Sequence, residues 1–347
     1  RSGLPSRGRA VPGLLAACLV GAALAAVGAG SVPLPAGEVV RILAHRLPWV
    51  GSGVACDWPA SHEAIVLTLR LPRVLLACVV GASLAVAGGA FQGLFRNPMA
   101  DPYVIGVSSG AALGAAVAIA MRPQVDFLGM GSVSAAAFLG AVVTVFVVYH
   151  IARVGRHVPV DNLLLSGVAV GAFLSALVSV VIVFSRRRLG EIVFWLMGSL
   201  AGRGWTHLSA VLPHLVIGSV VLVYHSRDLN AMLLGEEEAT HLGIPVERVK
   251  RTILAGASLL TAAAVAACGI VGFVGLIVPH ILRLIVGPDH RVLLPVSALG
   301  GALLMVLSDL AARTVVSPGE LPVGVVTAVL GGPFFLYLLR QSRSGVW

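Results

Sequence analysis

Apolar residues in this chain fall into long unbroken runs, each closed by charge, proline or glycine, and they do not alternate with polar ones. Ten runs read as membrane-spanning helices: Val11–Ser31, Val74–Phe95, Pro102–Met121, Leu128–Ile151, Leu163–Phe184, Thr206–Tyr224, Thr252–Cys268, Gly269–Val286, Leu293–Val315 and Leu321–Leu339. Leu189–Leu200 is too short to cross and reads as an interfacial or re-entrant helix. Unbroken runs exclude a transmembrane barrel, whose strands alternate every residue. Arg1, Arg7 and Arg9 before the first run give it the outline of a signal peptide, but its length predicts an uncleaved first helix. An even number of crossings places both termini on one side, expected to be the cytoplasm.

Two polar connectors stand out, an external loop at 32–69 and a cytoplasmic loop at 225–251, within a single transmembrane domain over residues 1–347. The external loop carries Trp49 and Trp58, residues suited to the membrane interface. Within the cytoplasmic loop, Gly235–Glu247 reads GEEEATHLGIPVE. Three acids suit the positive N-terminal end of a short helix, and Gly243 followed by Pro245 stops it. Such a helix either lies on lipid or docks on a protein; its acidity opposes the first, since the inner leaflet is itself anionic.

Composition narrows the class. Of 347 residues, 58% are hydrophobic and 11% charged, against roughly 25% charged in soluble domains. Disorder and a soluble enzyme are both excluded, and an all-α polytopic membrane protein remains. The net charge is +9, and Lys250 is the sole basic residue other than arginine and histidine. The assigned topology puts 14 of the 24 basic residues inside, a weak positive-inside bias, so the ten outer arginines need either an acidic partner or interfacial snorkelling. The four cysteines are scattered, with no CxxC pair and no Cys/His cluster, so no metal site is expected. No GxxxxGK[ST] is present either; an ATP-driven process would need its motor on another subunit.

Arg70-Leu71-Pro72-Arg73 is expected to open the second span, with both guanidiniums on one face at the outer surface and Arg313 near them. That is a receptor for carboxylates or an interfacial anchor. Gly106, Gly110 and Gly114 form a doubled GxxxG for close helix contact. Phe95–Pro102 makes a tight inner turn through Asn97-Pro98 and Asp101-Pro102. Asp309, one turn from Arg313, reads as half of an ion pair. An ion-coupled secondary carrier would need more carboxylates at mid-membrane, and only Asp309 is on hand beside His280 and Arg283.

Taken in order, Arg70–Arg73, the run QGLFRNPMADP from Gln92 to Pro102, Gly106–Gly110, WLMGSL, Gly235–Gly243, GFVGLIVPHILR and ELPVGVVTAVLGGP closely resemble the FecCD/BtuC-type permeases, the membrane subunits of ABC importers for iron chelates and vitamin B12. The resemblance spans essentially the whole chain. It implies ten helices per subunit, a permease dimer (homo- or heterodimer), two cytoplasmic ATPase subunits that bind ATP, an external substrate-binding protein and a bacterial or archaeal cytoplasmic membrane. No cofactor held by this chain and no nucleic acid are implied. In that family Arg70, Arg73 and Arg313 correspond to arginines that receive glutamates of the binding protein. Gly235, Glu236, Glu237, Glu238, Ala239, Leu242 and Gly243 correspond to the coupling helices seated in the ATPase, and Asn97 and Met99 fall at an inner gate. The expected cargo is a ferric siderophore or haem, with cobalamin as the alternative.

Overall fold

Pro72 stands inside a helix and not at its start. The computed structural model describes residues 6–30, 32–48, 51–53, 55–122, 131–155, 157–316 and 319–342; Trp49 lies outside them. In chain order the helices are α1 (Ser6–Gly28), α2 (Ala36–His45), α3 (Ala60–Ala64), α4 (Leu71–Leu94), α5 (Val107–Met121), α6 (Gly131–Ala152), α7 (Val160–Phe184), α8 (Leu189–Leu196), α9 (Trp205–Tyr224), α10 (Ser226–Met232), α11 (Glu236–His241), α12 (Val246–Cys268), α13 (Val274–Val286), α14 (His290–Thr314) and α15 (Val323–Ser342). A wide π turn over Ile65–Arg70 joins α3 to α4, so the helical stretch runs unbroken through 35 residues, Ala60–Leu94. Proline lacks an N–H and crowds the carbonyl four residues back. An inserted π turn absorbs that mismatch and lets the helix continue through Pro72. The expected start at Val74 is therefore corrected by more than three turns, and half of the supposed external loop is helix.

Among the described residues seven helical stretches are long and apolar enough to cross a membrane, the other six being Ala10–Gly28, Gly131–Ala152, Val160–Phe184, Trp205–Tyr224, Val246–Cys268 and His290–Thr314. Of the remaining three expected spans, two are shorter helices, Val107–Met121 and Val274–Val286, and the third is the 20-residue α15. Each of the two begins after a residue of positive φ, Gly106 for α5 and Phe273 for α13. The chain leaves helical geometry at Gly269 (φ 76°) and Phe273 (φ 69°), and the freed backbone groups find partners in neighbouring breaks. Ser199 N donates to Cys268 O at 2.6 Å, and Gly324 N donates to Gly198 O at 3.5 Å. The Tyr103 hydroxyl donates to Val271 O at 2.9 Å. Irregular backbone inside a membrane protein is tolerated where other protein satisfies it, and here the breaks satisfy one another.

α4 is the central helix, buried on nearly every side. It crosses α14 where Gly81 meets Gly301, so close that a Cβ on either would strike the other's carbonyl oxygen, and it meets α13 where a Cβ on Gly88 would strike Gly275 O and one on Gly275 would strike Leu84 O. Between α5 and α6, Gly110 faces Gly140 and Gly114 faces Ala136. Without a hydrophobic drive between helices in lipid, such backbone proximity is the main source of association. The doubled GxxxG thus divides: Gly110 and Gly114 pack helices, while Gly106 (φ 82°) is the left-handed residue before α5.

Candidate functional site

Arg70, Arg73 and Arg313 converge at one end of the molecule, where they line a cavity of about 330 Å³ with Gly30, Arg203 and Glu320. They do not project together into solvent. Arg70, 7% exposed, turns toward the end of α1 and donates to Val27 O at 3.0 Å and Gly28 O at 2.8 Å. Gly30 has no side chain because the Arg70 guanidinium occupies that space. Arg313 donates to Ala26 O at 3.0 Å and pairs with Asp309 at 3.1 Å, the ion pair expected from spacing. Arg73 reaches the same Asp309 at 2.9 Å and then Glu320 at 2.9 Å. Asp309 is 1% exposed, and a buried carboxylate flanked by two guanidiniums holds charges that would otherwise be costly at this depth. In the adjoining loop Arg203 bonds His207 at 2.8 Å, and burial lowers its guanidinium pKa from the usual value.

At the opposite end, α11 presents the acidic motif. Gly235 precedes it at φ 140°, a conformation open to glycine, and the Glu238 carboxylate folds back into the space a Cβ would need. Ala239 is buried, whereas Glu237, Glu238, Leu242 and Gly243 face outward. Glu236 turns inward to Lys250, whose ammonium lies 2.9 Å from Glu236 and 2.8 Å from Glu247 and donates to Val158 O at 3.0 Å. One buried cation thus ties α11, the first turn of α12 and the α6–α7 connector. Sequence reading missed this clamp. Glu247, three residues before Lys250, was its one visible signal; Glu236 and Val158 are brought in by folding.

The turn carrying Asn97 and Met99 follows α4 on this same end. Asn97 Oδ1 accepts from Met99 N at 2.9 Å, and Asp101 Oδ1 accepts from Tyr103 N at 2.8 Å, so both side chains hold turns. Asn97 is exposed and Met99 half-buried. α10, in the 225–251 loop, meets the ends of α4 and α14 beside this turn. Leu229 of α10 packs over Gly93, one turn before it, beside the His290 ring. Asn230 accepts from His290 N at 2.9 Å and donates to Asp289 at 2.7 Å. Arg291 pairs with Asp289 at 2.6 Å and holds its carboxyl well below the usual carboxylate range, helped by Asn230. α14 begins at this network and ends at the arginine cavity. Among the described residues no three His, Cys, Asp or Glu side chains gather as a metal site would require.

Most of the other outer arginines also have partners. Arg41 pairs with Asp57 at 2.8 Å, Arg46 with Glu63 at 2.6 Å and Arg122 with Glu191 at 3.4 Å. Arg188 caps the last carbonyls of α5, donating to Ile119 O and Ala120 O.

A model of the FecCD transport family matches residues 18–341. The cobalamin import system permease protein BtuC of Halobacterium salinarum is 47% identical over 325 residues, covering 89% of this chain and 86% of that one. The hemin transport system permease protein HmuU of Yersinia pestis is 41% identical over 289 residues, covering 81% and 85%. The Fe(3+) dicitrate transport system permease protein FecD of Escherichia coli is 37% identical over 299 residues, covering 86% and 92%. A solved structure, described as an inward-facing conformation of a metal-chelate type ABC transporter, superposes with a TM-score of 0.81 at 32% identity, covering 95% of this chain and 99% of that one.

Proposed function

The chain belongs to the FecCD transport family and is a multi-pass permease subunit of an ABC importer, and we propose that it moves an intact metal chelate inward by alternating access. ATP hydrolysis lies on a separate subunit, so the chain is not itself an enzyme, and the permease works as a dimer with ATPase partners. In our reading the arginine cavity faces outward, α11 and both termini lie in the cytoplasm, and the ATPase binds ATP and seats α11.

The observation that carries the reading is a mechanical one: a charged cavity at one end and an acidic helix at the other are joined by the same two central helices. α14 spans from the Asn230–Asp289 network to Asp309 and Arg313, 25 residues or about 37 Å of rigid helix. α4 runs beside it from Arg73 to the Asn97 turn. Nucleotide-driven movement of α11 is passed through Lys250 to α12, and through α10 to α14 and the gate turn at Asn97 and Met99. A carboxylate of an external binding protein reaches the cluster at Arg73 by replacing Glu320. Arg70 and Arg313 hold the site's walls, and their bonds to α1 open if they are to meet carboxylates directly. ATP drives the cycle only so far as it binds the two conformations differently.

The cargo proposed first is a corrinoid, because the cobalamin permease of Halobacterium salinarum is 47% identical along 89% of this chain. Haem and ferric chelates are the second reading, favoured by the relatives named for them at 41% and 37%. The test is uptake into proteoliposomes holding the permease, its ATPase and the cognate binding protein. ATP-dependent accumulation of cobalamin, with no uptake of haemin or ferric siderophore, is expected. Accumulation driven by a proton gradient without the ATPase would overturn the transport mechanism itself.

A further inference from the structure

Between α6 and α12, at the end that carries α11, lies a cavity of about 890 Å³ that the transport cycle described above does not use. Its walls change character along the helix axes. Val142, Phe146 and Leu259 line the part toward mid-membrane. Arg153, Arg248 and Arg251 line the mouth. None of these three arginines pairs with a carboxylate among the described residues, and Arg153 makes only a bond to Gly155 O at 2.8 Å. That sets them apart from Arg41, Arg46, Arg73, Arg122 and Arg313, all of them paired. Glu247 also lies on the rim, but Lys250 at 2.8 Å already neutralises it. Between the two zones Ser258, 6% exposed, forms part of the cavity wall, and its buried hydroxyl has no hydrogen-bond partner. Serines in helices usually bond back to their own turn; Thr261, one turn on, does so at 2.8 Å.

We infer that this cavity is a binding site for an anionic phospholipid of the leaflet on the α11 side, its phosphate held by Arg153, Arg248 and Arg251 and an acyl chain lying along Val142 and Phe146. The occupant needs a negative head and an apolar tail, and the cavity supplies a cationic mouth and an apolar wall in that order. The outer face of α6 continues the apolar wall into the surrounding bilayer through exposed Leu139 and Val143. A soluble anion would leave the apolar zone unfilled, and a neutral lipid would leave three guanidiniums unpaired. Because Arg248 and Arg251 flank Lys250, a bound lipid also braces the turn of α12 that holds α11.

The experiment is native mass spectrometry of the permease–ATPase complex released from nanodiscs of phosphatidylcholine doped with phosphatidylglycerol. At about a factor of five per arginine near the surface, retention of phosphatidylglycerol over phosphatidylcholine on the order of a hundredfold is expected. The R153Q/R248Q/R251Q variant removes the preference, while Ala255→Phe, which fills the cavity without changing charge, also loses the lipid. Equal retention of the two lipids, or retention unchanged in both variants, overturns the proposal. Inorganic phosphate displacing the lipid-dependent rise in melting temperature and reproducing it alone would assign the site to a soluble anion. A triple variant that loses its fold is recognised by its melting temperature in pure phosphatidylcholine, and Ala255→Phe then decides.

Discussion

Arg73 and Asp309 are 236 residues apart in sequence and meet through a bifurcated pair of hydrogen bonds, Nε at 3.0 Å and Nη2 at 2.9 Å on one carboxylate oxygen. The other oxygen lies 3.1 Å from Arg313 Nε as an ion pair. Removing the carboxylate leaves Arg313 with backbone carbonyls alone and Arg73 with Glu320 alone, and breaking a buried pair costs about 3–5 kcal/mol. Asp309→Asn is therefore expected to lower Tm of the purified permease by several degrees, measured by thermal unfolding in detergent. Joint replacement of Arg73, Asp309 and Arg313 by Met, Leu and Met should recover most of the loss, since a well-packed apolar triad has no charge to solvate. A Tm unmoved by Asp309→Asn would show that the triad is already hydrated.

Glu320 competes for the guanidinium that an incoming carboxylate needs. Its own side chain is 37% exposed, so the contact is worth little by itself, on the order of 1 kcal/mol or less. Glu320→Gln is expected to tighten binding of the external binding protein by up to about fivefold, whereas Arg73→Glu abolishes it. Surface plasmon resonance on nanodisc-held permease at low and high salt measures both. Unchanged affinity in Arg73→Glu removes the arginine cavity from docking.

Crossing helices were legible because a membrane span is a local composition: each apolar run names its own helix. Pro72 shows where locality ends. Arg70-Leu71-Pro72-Arg73 has the outline of a helix start, yet Val66 and its neighbours widen the turn ahead of it, a choice made by packing against α1 and α2. The same limit hid the breaks at Gly269 and Phe273, whose backbone is satisfied by Ser199 and Tyr103 from distant segments. Of the candidate site, the residue types were readable and the partners were not. Asp309 was found as a partner of Arg313 because it lies four residues away, while its bond to Arg73 and that of Arg70 to Val27 depend on how α1, α4 and α14 assemble. The weak positive-inside count has a similar explanation: half of the ten outer arginines, Arg41, Arg46, Arg73, Arg122 and Arg313, are paired with carboxylates of the same chain, so the unpaired positive charge is more one-sided than the residue count.

Lys250 is the fastening of α11. Its three charged or carbonyl partners are about 3 Å away, and hydrogen bonds to charged groups contribute about 1.5–3 kcal/mol each. Lys250→Ala is expected to uncouple the importer: uptake falls about tenfold or more while ATP hydrolysis by the complex persists. Lys250→Arg should recover part of the coupling, because a planar guanidinium keeps the charge but fits three divergent acceptors less well. Parallel uptake and phosphate-release assays on one proteoliposome preparation separate the two rates. Equal losses in both would mean that Lys250 serves assembly and not transmission.

Asp289 gives the network at the foot of α14 a defined response to acid. Its carboxylate accepts from Arg291 Nη2 at 2.6 Å and from Asn230 at 2.7 Å, and these partners lower its pKa from the ordinary 3.8. The unfolded chain therefore takes up a proton at higher pH than the folded one. By linkage the stabilisation from Asp289 is complete above about pH 4–5, and it drains away as pH falls through the folded pKa. Asp289→Asn should be less stable than the unaltered protein by a constant margin at pH 6–8, with the two unfolding curves drawing together below about pH 4. The measurement is Tm of both proteins across that range in one detergent. A margin that grew on acidification would mean that Asp289 is protonated more readily in the folded state, and the Arg291–Asp289–Asn230 geometry would not be what holds α10 against α14.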